Sequence, residues 1–71
     1  MKRFLAIQLE NDGEFLYPVD FLPQHWTEKR VQAEFAEALL ILALLGEETI
    51  KLTAGVEIPL TAIEDFHLVE K

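Results

Sequence analysis

The sequence predicts a single α+β domain in which one α-helix packs on one face of an antiparallel β-sheet, in the order β-β-α-β-β-β. Three observations predict this fold. Helical spacing of apolar residues is confined to residues 27–46. The segments on both sides alternate apolar and polar residues, as half-buried strands do. A glycine ends the short loop between the members of each strand pair. A chain of 71 residues has room for one small core.

The first pair of strands is predicted over residues 3–10 and 14–19. Their apolar faces lie on the same side if a three-residue loop over residues 11–13 joins them, with Gly13 in the left-handed conformation that such a loop needs at its last position. The cross-strand pairs that follow from this loop are Leu9 with Phe15 and Ile7 with Tyr17.

The helix is bounded by clear signals. Thr27 is a suitable N-cap, and Trp26 and Val31 are spaced as a hydrophobic staple around it. Gly46 is a suitable left-handed C-terminal cap. Every residue from 38 to 45 is apolar, so this half of the helix has no polar face, a pattern typical of a helix buried on all sides.

The second hairpin repeats the pattern of the first over residues 50–60. A three-residue loop ending in Gly55 pairs strand residues whose apolar faces coincide, and Pro59 predicts that its strand is an edge or ends there. Residues 61–65 are predicted to form a turn or one short helical turn, and residues 66–70 a last strand. The pairs expected across this hairpin are Leu52 with Val56, Ile50 with Ile58 and Lys51 with Glu57.

The predicted core takes the inward residues of the strands and one stripe of the helix. That stripe consists of Val31, Phe35, Ala38, Leu39, Leu42 and Leu45. Three apolar helix residues have no place in this core, and a contiguous exposed apolar patch usually marks an interface. The simplest partner is a second copy in a twofold homodimer, a different protein partner would use the same surface, and the last strand or the connector over residues 21–26 could instead cover it. The three residues are Leu40, Ile41 and Leu44.

Phe21 and Trp26 form, with His25, an aromatic cluster in the connector that precedes the helix. Aromatic residues are enriched at binding hot spots, so both are candidate interface residues. The alternative is that they close the end of the core beside the start of the helix.

The chain carries a formal net charge of −7, which disfavours direct binding to nucleic acid. Acidic residues keep an apolar-rich protein in solution, and they would also suit a protein partner with a basic face. A sharper version is an inhibitor that imitates a phosphate backbone and occupies a nucleic-acid-binding protein. The acidic residues concerned are Glu10, Asp12, Glu14, Glu47, Glu48, Glu64 and Asp65.

Catalysis and metal binding are not predicted. Cysteine and serine are absent, and His25 and His67 do not share the local spacing of metal ligands. No glycine-rich phosphate loop is present, so no cofactor is expected, and the longest apolar run is too short to span a membrane. A minimal enzyme or ligand carrier is the remaining alternative. We therefore expect a cytoplasmic, non-catalytic protein-binding module, such as an adaptor, inhibitor or accessory subunit, that forms a homodimer through residues 38–45.

Overall fold

The strand nearest the N-terminus lies at the centre of a three-stranded antiparallel sheet, with strand order β2-β1-β5. The computed structural model describes residues 2–52 and 55–71. The strands of this sheet are β1 (Arg3–Leu9), β2 (Glu14–Pro18) and β5 (Ile63–Glu70). The helix α1 (Glu28–Leu44) leads to a separate two-stranded sheet of β3 (Thr49–Lys51) and β4 (Glu57–Pro59), and a 3-10 helix (Leu60–Ala62) precedes β5.

These elements confirm the α+β class and the predicted element order, but the prediction of one continuous sheet is wrong. β5 crosses back to pair with β1 along its whole length, so the second hairpin stands apart as its own sheet. The last strand also begins three residues earlier than predicted. Gln8 pairs with Asp65 and Leu9 with Ile63, so Glu64 is an extra residue that interrupts the alternation there.

The first hairpin has the predicted faces but not the predicted register. Ile7 pairs with Phe15 and Leu5 with Tyr17, so the predicted pairing of Leu9 with Phe15 is wrong. The loop comprises residues 10–12, closed by a 2.9 Å bond from the Leu9 N–H to the carbonyl of Gly13. Moving a loop by one residue changes the pairing by two, so the same side chains still face the core. Periodicity alone cannot separate these two registers.

Asp12, rather than Gly13, takes the left-handed position of this loop, with φ at 64°. Gly13 contributes to the loop in a different way. Its N–H donates to Oδ1 of Asn11 over 3.1 Å, and a Cβ on residue 13 would lie 2.8 Å from that oxygen. A side chain at this position would therefore displace the Asn11 amide that shapes the turn.

The second hairpin confirms its predicted register. Ile50 pairs with Ile58, and Lys51 lies opposite Glu57 with 3.8 Å between Nζ and Oε1. Leu52 donates its N–H to the carbonyl of Val56 over 2.9 Å. Residues 53 and 54 of the predicted loop lie outside the described residues. The last loop residue is Gly55, whose φ of 83° favours glycine.

Both predicted ends of the helix are confirmed. Oγ1 of Thr27 accepts the N–H of Arg30 over 3.2 Å. At the other end Gly46 has a φ of 83°, its N–H donates to the carbonyl of Ala43, and the next N–H donates to the carbonyl of Leu42. This pair of bonds is the Schellman arrangement, which satisfies two carbonyls that the helix itself leaves without donors.

The main core lies between α1 and the inner face of the three-stranded sheet. Its fully buried members are Leu5, Ile7, Val19 and Val31. Two residues assigned to the core from the sequence, Ala38 and Leu45, are exposed instead, and Leu45 is 73% exposed. The correction has a simple cause: the last turns of α1 extend past the end of the three-stranded sheet, so they have less to pack against.

One side chain of β1 holds the connector in place. The Arg3 guanidinium donates to the carbonyl of Trp26 over 2.8 Å and to those of Pro23 and Gln24 over 3.3 Å each. The N–H of Arg3 also donates to Oδ1 of Asp20 over 3.2 Å. The irregular residues before α1 are therefore fixed to the central strand by directed bonds.

Candidate interaction surface

The helix lies antiparallel to β5, and its first turns bond two backbone groups on the outer edge of that strand. Oε2 of Glu28 accepts the N–H of Leu68 over 2.8 Å. One turn later Nε2 of Gln32 donates to the carbonyl of Phe66 over 2.9 Å. Edge strands with unpaired backbone groups recruit other strands, so these two bonds protect β5 from edge-to-edge pairing.

The same two bonds show where the sheet ends beneath the helix. Four residues of a helix advance about 6 Å, and two residues of a strand advance about the same distance. Each residue of β5 therefore corresponds to two residues of α1 along the packed region. Phe35 follows, with its ring 4.8 Å from that of Phe66 in an edge-to-face contact. Continued to Ile63, the first residue of β5, this two-to-one alignment places about residue 38 of the helix beside the end of the strand. The turns beyond that point overhang the three-stranded sheet.

The overhanging turns carry a contiguous apolar surface, which we call the helix patch. Its exposed fractions are 59% for Leu40, 47% for Ile41, 78% for Leu44 and 73% for Leu45. Residues three and four apart are neighbours on a helix, so these four side chains form one surface. The first three were predicted from the sequence to lack a place in the core, and they are exposed in the structure; Leu45 was missed because it fitted the core stripe by periodicity.

An apolar groove lies beside the C-terminal end of α1, next to the second hairpin. It has a volume of about 490 Å³ and lies between the end of α1 and the Pro59–Leu60 segment. Ala43 lines one wall, and Glu47 and Glu48 lie at its margin.

The two connector residues predicted as interface members lie elsewhere. Phe21 is 69% exposed and its ring contacts Tyr17 edge-to-face at 6.1 Å, next to β2. Trp26 is half-buried against the main core, and the Arg30 guanidinium stacks over its ring at 4.4 Å. The structure thus joins Leu40, Ile41 and Leu44 in one surface but does not bring Phe21 or Trp26 into it.

Acidic residues that are scattered along the sequence gather at one end of the molecule. Glu14 and Asp65 both lie opposite Gln8 across the sheet, and the N–H of Glu10 donates to the carbonyl of Ala62 over 2.9 Å. The carbonyl of Glu48 accepts from Leu60, which brings the end of the helix to the same place. This acidic end holds eight of the 13 carboxylates, all on exposed residues: Glu10, Asp12, Glu14, Glu47, Glu48, Glu57, Glu64 and Asp65.

Basic residues gather at the opposite end. Lys2 and Lys71 pair through their backbones, with N–H to carbonyl distances of 2.8 and 2.9 Å, and Arg3 lies opposite Glu70 in the next pair of the sheet. The start of α1 lies at this end because Glu28 reaches Leu68. This basic end holds five of the six cations: Lys2, Arg3, Lys29, Arg30 and Lys71. The molecule is therefore charge-polarised along the helix axis.

The outer face of the three-stranded sheet is a second apolar surface, of which the sequence indicated only part. Phe4 lies between Pro18 and Val69, and Ala6 lies between Leu16 and His67. Ala6 is buried by these neighbours, while the larger side chains are half-buried. Mutual packing within the layer thus covers much of this face.

The histidines do not come together with carboxylates in a common pocket. His25 is exposed in the connector and His67 lies on the outer face of the sheet. Within residues 2–52 and 55–71, no three histidine or carboxylate side chains are placed to share a metal ion. A groove of about 560 Å³ lies beside Arg3, Trp26 and Glu28, where the Arg3 guanidinium and the Glu28 carboxylate are already bonded to the protein's own backbone.

No helix in the described part of the chain combines the length and the apolar character needed to cross a membrane. Comparison with family models, with curated proteins and with solved structures yields no match to this chain.

Proposed function

We propose that this protein is a small non-catalytic protein-binding module that associates with a second copy of itself through the helix patch. The observation that carries the proposal is the overhang of α1, which leaves Leu40, Leu44 and Leu45 between 59% and 78% exposed. Exposed apolar surface of this kind, continuous over two helical turns, is typical of an interface. An adaptor or accessory subunit is the kind of protein that such a module would be.

The overall dimensions support an unpartnered surface. The accessible surface of the chain is 4953 Å², whereas a folded monomer of this mass exposes about 4,500 Å². The radius of gyration is 12.0 Å, against about 11 Å for a compact chain of the same length. Both differences are in the direction expected of a subunit that completes its burial by association.

The size of the surface sets the expected affinity. A helix of 17 residues is about 26 Å long, so a pair of helices alone forms a contact at the small end of specific interfaces. We therefore expect a reversible homodimer with a dissociation constant on the order of micromolar.

Analytical ultracentrifugation across a range of concentrations tests the proposal. Wild type should approach twice the 8.2 kDa monomer mass as concentration rises. Leu44→Glu should remain monomeric, because dimerisation would bury the new carboxylate of each copy without a partner of opposite charge. Phe21→Glu is the matched control: it makes the same change of charge on a residue that is also largely exposed, 69% against 78%, but lies outside the helix patch.

Circular dichroism on both variants separates loss of association from loss of folding. A wild-type protein that stays monomeric at millimolar concentration would refute self-association. Equal dimerisation by Leu44→Glu and wild type would refute the assignment of the interface to the helix patch.

The gathering of carboxylates at the acidic end favours a second candidate function, an inhibitor that occupies the nucleic-acid-binding face of a basic protein. Exposed carboxylates concentrated on one end attract a basic surface in the way a phosphate backbone does. Such binding is predominantly electrostatic, so it should fall steeply as salt is raised.

Two sets of triple glutamine variants test this second function at constant net charge. Wild type and the control set should capture nucleic-acid-binding proteins from the native cell, and added salt should release them. The acidic-end set should fail to capture them. Equal capture by both sets would refute recognition through the acidic end. The acidic-end set replaces Glu10, Glu14 and Glu64, and the control set replaces Glu34, Glu37 and Glu70.

A further inference from the structure

From the charge polarity of the molecule we infer that the two copies pair their helices antiparallel about a twofold axis, with the basic end of each against the acidic end of the other. This inference rests on the proposed self-association and adds its geometry. A parallel pair would bring the two acidic ends together next to the helix patch. An antiparallel pair replaces that repulsion by attraction at both ends of the interface.

The residues at the two ends of α1 carry the argument. Lys29 and Arg30 lie in its first turn, and Glu47 and Glu48 follow its C-terminal cap. The two acids are unfavourable for their own helix, because carboxylates at a helix C-terminus oppose its dipole. An antiparallel partner resolves this conflict, since it places Lys29 of its first turn beside these acids; Arg30, which stacks over Trp26 and lies 3.4 Å from Glu34, adds to the same positive end.

The charges also favour one alignment, in which the first turn of one helix lies beside the C-terminal cap of the other, where Glu47 and Glu48 follow Gly46. That alignment sets the small Ala33 against the large Leu44, a pairing that lets two helix surfaces interdigitate. Lys29 and Leu40 are eleven residues, about three turns, apart, so Lys29 and the helix patch share one side of α1, which also carries the exposed Glu37 near the twofold axis.

A charge-swap experiment tests the orientation. Lys29→Glu with Arg30→Glu makes both ends of an antiparallel homodimer acidic, and Glu47→Lys with Glu48→Lys makes both ends basic. Each double variant alone should dimerise about tenfold to a hundredfold more weakly than wild type. Mixing the two should restore affinity in a heterodimer, because opposite charges then meet at both ends in either orientation; the mixture thus establishes that charge causes the weakening.

The outcomes separate the orientation from the association itself. Wild type that does not dimerise refutes the proposed function. Wild type that dimerises while each double variant alone dimerises as tightly as wild type refutes the antiparallel arrangement alone, because a parallel pair has like charges together at both ends before and after the swap. The two substituted pairs are exposed, and circular dichroism of each variant establishes that it is folded.

Cysteine cross-linking tests the register, since the chain has no cysteine of its own. In the inferred alignment Ala33→Cys of one copy faces Leu44→Cys of the other, whereas two copies of residue 33 are separated by about 16 Å along the axis. A disulfide requires Cα atoms within about 7 Å. Oxidation should therefore link the mixture of the two variants and leave Ala33→Cys alone unlinked. Linkage of Ala33→Cys to itself would overturn the inference.

Discussion

Replacing Arg3 with methionine should lower the stability of the fold far more than the loss of an ordinary surface charge does. The guanidinium joins the central strand to the connector through three carbonyls, of which that of Trp26 is partly buried and accepts at 2.8 Å. Methionine retains the apolar stem and removes every donor. The carbonyls of Pro23, Gln24 and Trp26 would then lack their donor.

The magnitude follows from these bonds. A hydrogen bond from a charged donor to a partly buried acceptor contributes about 1.5–3 kcal/mol, and the two exposed bonds of 3.3 Å add little. We expect Arg3→Met to lower the free energy of unfolding by about 2 kcal/mol. A domain of this size has about 4–11 kcal/mol in total, so Tm should fall by about 10 °C.

Urea and thermal unfolding, followed by circular dichroism and Trp26 fluorescence, measure the effect at a fixed protein concentration, because association also shifts Tm. Lys2→Met is the matched control: the neighbouring residue loses the same charge from an exposed side chain, while its backbone pairing with Lys71 persists. A loss below about 0.5 kcal/mol for Arg3→Met, or an equal loss in both variants, would refute the reasoning.

Three further substitutions follow from the described geometry. Gly46→Ala should cost about 1 kcal/mol, measured by urea unfolding, because its φ of 83° disfavours any Cβ although no atom lies within 4 Å. Asp12→Val should cost about 1–2 kcal/mol in the same assay, since a β-branched side chain is strained at a φ of 64°, whereas Asp12→Gly should be tolerated. Glu28→Ala should cost about 0.5–1 kcal/mol and raise light scattering on storage, because the exposed N–H of Leu68 then bonds only to water at the edge of β5.

Local signals in the sequence predicted the ends of elements well and their long-range partners poorly. The Thr27 cap, the left-handed Gly46 and the Ile50–Ile58 pair depend on residues close together in the chain, and all three are confirmed. The register of the first hairpin failed because two loops that differ by one residue leave the same side chains facing the core. Only Asp12 in the left-handed conformation, a choice that periodicity does not encode, separates them.

The division into two sheets could not be read from periodicity either. It depends on β5 pairing with β1 across more than fifty intervening residues, whereas alternation describes each strand singly. The same long-range pairing determines where the sheet ends beneath α1. Leu45 was therefore assigned to the core by its helical spacing, although the helix has already passed the end of the three-stranded sheet there.

The candidate site was predicted in part. Leu40, Ile41 and Leu44 could be identified because the apolar faces of the predicted strands cover only one stripe of the helix, and these three residues lie outside it. The gathering of acidic residues at one end was not predictable, because it arises when turns that are distant in sequence meet. Glu14 and Asp65, for example, are neighbours only through their common partner Gln8.

The central position of β1 has a consequence for how the chain folds during synthesis. β1 emerges from the ribosome first, yet one of its two edges is completed by β5, whose residues come from the opposite end of the sequence. Until β5 is available, the nascent chain displays the edge and inner face of its most buried strand, including Leu5 and Ile7. At about 5–20 residues per second, that interval lasts several seconds, during which binding by a chaperone would compete with closure of the sheet.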